Sequence, residues 1–213
     1  MKMPTDKTTL DKARLKTMLL EASRLLQEKS DELSELDARF GDGDHGVTIR
    51  KIALVIEHGT AAWDDAGPKT FLTELGNAVL AVSGGAAAPL WGTFIGGLAL
   101  PLGDSAEIDP PSLKRMFSSA LEEMRSVTNA KIGDKTLMDV LIPAVESADV
   151  EDSIETILAA ASSAAQKGAK ATENFVARFG RAKNYKERTL GTPDPGAVSL
   201  ALFFEGLAAG CKE

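Results

Sequence analysis

Residues 15–26 read LKTMLLEASRLL, and the spacing of their apolar side chains decides the fold. Leu15, Met18, Leu19, Ala22, Leu25 and Leu26 recur at i, i+3, i+4 and i+7, which is one stripe of a helix, while Lys16, Glu21 and Arg24 fill the other face. Upstream, Thr8 stands three residues before Asp11 in an arrangement that suits the start of that helix. Downstream the same period returns in 47–56, in Phe71 to Val82, in Leu113 to Met124 and in Leu137 to Val145. Ile154, Ile157, Leu158, Ala161 and Ala165 open an Ala-rich helix expected to reach Phe179, and a last apolar segment, Ala197 to Ala209, follows Pro195-Gly196. No stretch alternates apolar and polar residues between turn signals, so no strand is predicted. The reading is a single all-α domain over 1–213 with about eight antiparallel helices. The longest irregular connectors are expected at 57–69, 102–111 and 182–195.

Composition narrows the class. With 213 residues the chain is long enough to bury a substantial core, and with only 5% aromatic residues that core must rest on Ala, Leu, Val, Ile and Met. A formal charge of -7 argues against nucleic acid or an anionic membrane as the main partner. The lone Cys211 forms neither an internal disulfide nor a thiolate metal site. No run approaches a membrane span, and the first residues lack the apolar core of a secretory signal, so the expectation is a cytoplasmic protein.

The chemistry-bearing residues gather in the breaks between helices. In Asp37-Ala38-Arg39-Phe40-Gly41-Asp42-Gly43-Asp44-His45-Gly46, three carboxylates fall within eight residues, interleaved with glycines. Such acids repel one another unless a cation neutralises them, and all-oxygen ligands favour a hard ion, Mg²⁺ or Ca²⁺, over zinc. An EF-hand fails on spacing: with Asp42 as the first position, the twelfth is Ala53 where a bidentate Glu is required. A surface Asp-Gly turn is the plain alternative. The second cluster, Ser83-Gly84-Gly85-Ala86-Ala87-Ala88-Pro89, lets a ligand approach backbone N–H groups at a helix start, or equally lets two helices pack closely. It is neither a Walker A loop nor a dinucleotide fingerprint. In Gly133-Asp134-Lys135-Thr136 the local reading is a helix cap. The fourth cluster places five basic residues in the eleven from Arg178 to Arg188, followed by Asp194-Pro195-Gly196 at the opening of the last helix. Those cations suit a phosphate clamp, a docking surface or a solvated face. His58 is read as a helix-end residue without a role.

Taken in order, Asp37-x4-Asp42-Gly43-Asp44-His45-Gly46, Gly84-Gly85-Ala86-x2-Pro89-Leu90-x-Gly92-Thr93, Gly133-Asp134-Lys135-Thr136 and Asp194-Pro195-Gly196-Ala197 resemble the nucleotide-binding L subunits of dihydroxyacetone kinases over nearly the whole chain. The resemblance implies an eight-helix barrel with ADP or ATP and two Mg²⁺ ions at one rim. It implies that Asp37, Asp42 and Asp44 are the metal ligands. It sets His45, Gly46, Val47 and Thr48, with Gly85, Ala86 and Ala87, around the phosphates. Leu137 would line the adenine side with Thr128 nearby, Arg181 would be the basic phosphate contact and catalytic cation, and Asp194, Pro195 and Gly196 would form a nucleotide-contacting turn. Departures from the family are Ala86-Ala87-Ala88, where members often carry Ala-Ser-Gly, Thr48 in place of Asn, and Leu137 in place of Met.

The activity implied is phosphoryl transfer to dihydroxyacetone held on a sugar-binding K subunit. ADP would be recharged by a phosphotransferase-system subunit, a mode that a separate short chain favours over free ATP exchange. Two other readings are an ATP-exchanging subunit for a short sugar such as erythrulose, and a nucleotide-occupied regulatory subunit that binds a transcription factor.

Overall fold

A computed structural model describes residues 9–212. Among them are nine α-helices: α1 (Lys12–Glu28), α2 (Ser30–Ala38), α3 (His45–Ala62), α4 (Pro68–Leu80), α5 (Ala87–Ala99), α6 (Pro110–Val127), α7 (Met138–Asp149), α8 (Ile154–Ala171) and α9 (Pro195–Gly210). Two 3₁₀ segments, Thr172–Asn174 and Ala182–Thr189, accompany them. No strand occurs among the described residues; a lone antiparallel bridge joins Leu10 to Ile108.

Eight of these helices close a ring. The packed neighbours run α1, α3, α4, α5, α6, α7, α8, α9 and back to α1, while α2 rides on α3. Small residues set the approach. A Cβ on Gly76 of α4 would lie 2.7 Å from the Gly96 backbone nitrogen of α5, and one on Gly206 of α9 would overlap the Ala22 backbone of α1. Gly210 likewise meets Met18 and Gly92 meets Leu80, so both pairs of helices run antiparallel. Pro143 inside α7 supplies no N–H to the Asp139 carbonyl four residues back, and Gly168 of α8 packs against that carbonyl.

The barrel interior explains how few aromatics suffice. Trp91 and Phe94 of α5, Phe117 of α6, and Phe203 and Phe204 of α9 meet edge to face, with centroids 5.4 Å apart for Trp91–Phe203 and 5.5 Å for Phe117–Phe204. Each such ring buries about 150–250 Å² and gains from edge-on geometry. Aliphatic stripes of the surrounding helices complete the core, including Leu15, Met18, Leu19, Ala22 and Leu26 of the first helix. Low aromatic content and a well-filled centre are compatible because the rings are concentrated on two facing helices and one neighbour.

Several expectations need correction. The cap of α1 is Asp11, whose carboxylate accepts from Arg14 N at 2.8 Å; Thr8 lies outside the described residues. The Ala-rich helix stops at Ala171 rather than Phe179, because Thr172 turns its hydroxyl back onto the Ala169 carbonyl and Phe175 is extended. Helix α3 continues to Ala62, so the connector expected at 57–69 is shorter; α5 ends at Ala99 and α6 begins at Pro110, so the one expected at 102–111 lies two residues earlier at the same length; most of 182–195 is 3₁₀. Asp134 caps no helix. It accepts from Lys131 N at 3.0 Å, and Asp139 receives Gly133 N and Thr136 N instead.

An antiparallel ring places alternate helix starts at the same end. Helices α3, α5, α7 and α9 therefore begin at one rim, and α1, α4, α6 and α8 at the other. At the far rim Asp11, Asp109 and Ser153 cap α1, α6 and α8 through their side chains, and α4 starts with Pro68. At the near rim the N-cap residues of α3, α5 and α7 contribute no side-chain cap, although Asp37 Oδ2 accepts from His45 N at 3.4 Å and Thr136 Oγ1 from Met138 N at 3.1 Å. Only the N-cap residue of α9 does so there, Asp194, which accepts from Ala197 N at 2.8 Å.

Candidate functional site

The near rim encloses a cavity of about 650 Å³ into which the starts of α3, α5, α7 and α9 converge. Orphan N–H groups and the positive ends of four helix dipoles make this the natural place for an anion, and a phosphate chain would meet the N–H groups that the N-cap residues of α3, α5 and α7 leave without a side-chain acceptor.

One wall carries the acids. Asp37 sits in the last turn of α2, and its Oδ2 accepts from Gly43 N at 2.9 Å, which folds the loop back over the helix end. Gly41 leaves room for that carboxylate, since a Cβ there would overlap Asp37 Oδ1 and push the side chain aside. Gly43 adopts φ 76°, the left-handed region that favours glycine. The loop thereby brings one oxygen each of Asp37, Asp42 and Asp44 within 4.8 Å of one another. Three carboxylates so close, with no thiolate beside them, fit a hard divalent cation completed by water and phosphate oxygens. Arg181 approaches from the opposite side and its Nη1 pairs with Asp42 Oδ2.

His45, the first residue of α3, is not a fourth ligand. Its Nε2 lies 3.1 Å from Ser199 Oγ, and Ser199 also donates to the Gly196 carbonyl at 2.9 Å. Burial pushes the imidazole down to about 4 despite the nearby Asp37 carboxylate, so the ring is neutral and ties the acid loop to the start of α9. Thr48, one turn on, is buried against Gly84, where a Cβ would sit 2.5 Å from Thr48 Cγ2. The 83–86 turn is thus pressed onto α3, and Gly85, Ala86 and Ala87 open into the cavity.

The remaining wall is assembled from Thr128, Leu137, Arg181, Asp194, Pro195 and Gly196, all of which line the cavity. Gly46 and Val47 do not. Gly46 is wedged against the Ser30 carbonyl of α2, and Val47 is 53% exposed. Apolar side chains to which the sequence reading assigned no site role, Val127, Leu90 and Phe179, add to the wall beside Leu137.

Lys135 is the residue least visible in the sequence. It holds φ 60°, is 4% exposed, and its ammonium donates to the carbonyls of Thr172 and Thr192. It therefore joins the turn before α7 to the end of α8 and to the turn before α9. Burial lowers its pKa, while Asp194, Glu173 and Asp139 oppose the shift. Asp194 is driven the other way, up to about 7, by burial, against the Ala197 N–H and Lys135. The Gly-Asp-Lys-Thr motif marks the position, but nothing local in the sequence says that its lysine folds inward.

An all-α barrel with an acid triad and convergent helix starts at one rim defines the class, and residues 39–209 match the model of the DAK2 domain. The chain belongs to that family. It is 34% identical over 211 residues to the ADP-binding subunit DhaL of the PEP-dependent dihydroxyacetone kinase of Escherichia coli, covering 96% of this chain and 100% of that one. It is also 33% identical over 183 residues to a D-erythrulose kinase of Mycolicibacterium smegmatis, covering 83% of this chain and 32% of that protein. The crystal structure of the dihydroxyacetone kinase from C. freundii in complex with AMP-PNP and Mg²⁺ matches with a TM-score of 0.70 at 25% identity, over 98% of this chain and 36% of that one. The chain thus spans about a third of the erythrulose kinase and of the solved kinase, and the full length of the E. coli subunit. Among the described residues no helix is long and apolar enough to cross a membrane.

Proposed function

We propose that this chain is the nucleotide-binding subunit of a dihydroxyacetone kinase, and that it passes the terminal phosphoryl group of ATP to dihydroxyacetone held on a K-type partner subunit. The observation that carries the reading is the near rim itself. Three helix starts whose N-cap residues offer no side-chain cap, a carboxylate triad and Arg181 face a single cavity large enough for a nucleotide.

Asp37, Asp42 and Asp44 would hold two Mg²⁺ ions, which when bound neutralise the charge of the β and γ phosphates. The start of α5, through Gly85 to Ala87, would present backbone N–H groups to the phosphate oxygens, with the side chains of His45 and Thr48 beside them on the α3 side of the cavity. Val127, Leu137 and Phe179 give the adenine an apolar wall, with Thr128 and the Asp194-Pro195-Gly196 turn at its edges. Arg181 then stabilises the equatorial oxygens as the hydroxyl oxygen of the sugar bonds to the γ phosphorus and the bond to the β-phosphate oxygen breaks. The hydroxyl proton passes to a base on the partner, and ADP remains at the rim. Neutral His45, fixed by Ser199, keeps the acid loop in register with the start of α9.

Full-length similarity to a subunit named as ADP-binding and PEP-dependent supports recharging of the retained ADP by a phosphotransferase-system partner. A second reading, transfer to erythrulose, is favoured by the 33% identity to an erythrulose kinase. Comparing the two sugars with the partner subunit separates them. The test of the main reading is Asp42→Asn assayed with that partner, expected to lose on the order of 10²-fold in kcat. Full activity in the variant would remove Asp42 from the metal site.

A further inference from the structure

The segment that carries Arg181 is built as an arm. It leaves the barrel at Gly180 (φ 60°) and rejoins it at Gly191 (φ 77°), both left-handed glycines with open space where a Cβ would stand. The barrel end of the arm is tied down by Gly191 N to the Glu173 carbonyl at 2.8 Å, Ala177 N to Thr189 Oγ1 at 3.1 Å and Arg178 N to the Asp134 carbonyl at 3.2 Å. Its outer end touches the acid loop through two contacts. Arg181 pairs with Asp42 Oδ2, and the Tyr185 ring tilts against Phe40 with centroids 5.3 Å apart. Arg188 covers Tyr185, its guanidinium carbon 5.5 Å from the ring centroid.

Asp42 is therefore claimed twice, by Arg181 and by the divalent cation that its triad fits. A guanidinium already paired with Oδ2 and a cation drawn to the same carboxylate would compete for its charge and for the space around it. We propose that Arg181 and the divalent cation are alternative partners of Asp42, and that the ion displaces the guanidinium and frees the arm to turn about Gly180 and Gly191. The inference rests on the metal reading above and extends it: the event that completes the metal site also releases the phosphate-binding arginine. An ion pair with side-chain exposures of 67% and 37% is weak, whereas a doubly charged ion meets all three carboxylates at once, so the exchange runs toward the ion. Arg181 is in this respect a positioning residue, held off the phosphates until the cations are in place.

Tyr185 is the chain's one tyrosine, so full-length protein grown with 3-fluorotyrosine gives a single ¹⁹F resonance from the arm. With divalent ions chelated, that resonance should report the ring contact, and Phe40→Leu should shift it. Addition of Mg²⁺ without nucleotide should move it to the position seen for Arg181→Met. Binding of Mn²⁺, read by the loss of the free-ion EPR signal, should tighten about 2- to 5-fold in Arg181→Met, the worth of an exposed pair. Arg178→Met, which loses a pair to Asp134 rather than to the triad, should leave both readings in place. A resonance that stays put on addition of saturating Mg²⁺, in protein that binds Mn²⁺ in the separate EPR titration, would show that Asp42 serves both partners together, and would overturn the exchange alone. Failure of the wild type to bind Mn²⁺ at all would overturn the metal reading and the exchange with it.

Discussion

Replacing His45 by Gln tests whether the imidazole is locked in its neutral form between the acid loop and α9. Burial holds the folded-state pKa at about 4, against about 6.5 in the unfolded chain. The sign follows from proton binding: between these values the unfolded chain binds the proton and the folded one does not. His45 thus contributes stability that is present above about pH 6.5 and lost as pH falls toward 4. From the two values, the loss between about pH 7.5 and about pH 5 comes to about 2 kcal/mol. Urea denaturation followed by tryptophan fluorescence, with divalent ions chelated and no nucleotide, measures it at both pH values. His45→Gln can still donate to Ser199 but has no proton to gain, so it should lose about 2 kcal/mol less than the wild type over this window. The acidic residues titrate in both proteins and cancel in the comparison. Parallel pH dependences for the two proteins would refute the neutral, buried imidazole.

Two further outcomes follow from buried groups. Asp194, raised to about 7, stabilises the fold below about pH 4 and loses that contribution as pH rises through 7. Asp194→Asn keeps the cap on Ala197 N and should be more stable than the wild type at about pH 8 by on the order of 2 kcal/mol in thermal or urea unfolding, with no difference near pH 4. Gly168→Ala drives a Cβ into the Asp139 carbonyl, which neither helix can yield without moving the α7 start at the rim. It should cost about 1–3 kcal/mol in urea unfolding, and an effect below about 0.5 kcal/mol would contradict the close approach.

The helices were legible because their stripes are regular: Leu15 to Leu26 and Leu113 to Met124 fall on α1 and α6, where all of the stripe residues but Leu25 are buried. Boundaries were less so, since side-chain choices made in three dimensions decide them. Thr172 ends α8 by bonding back to Ala169, and no breaker residue precedes it in the sequence. Of the site, the acids and glycines were readable because charge repulsion and φ above zero are local demands. Asp42, Asp44 and Asp37 do converge, and the Gly85–Ala87 turn does face them. Lys135 and Ser199 were not readable, because their roles depend on which loops the ring brings beside them. The pairing of Arg181 with Asp42 spans most of the chain and is invisible to spacing. The absence of a capping side chain at the N-cap residues of α3, α5 and α7 acquires meaning only once the ring shows that these helices start at one rim.

The central claim is that this rim binds a nucleotide through the acid triad. Native mass spectrometry of the full chain with saturating Mg²⁺ and ADP tests it directly, beside a variant carrying Asp37→Asn, Asp42→Asn and Asp44→Asn. The account predicts an ADP adduct on the wild type, retained after dialysis if the nucleotide is recharged in place, and its loss in the triple variant. A wild-type chain that takes up no ADP, or a triple variant that binds it equally well, would contradict the account.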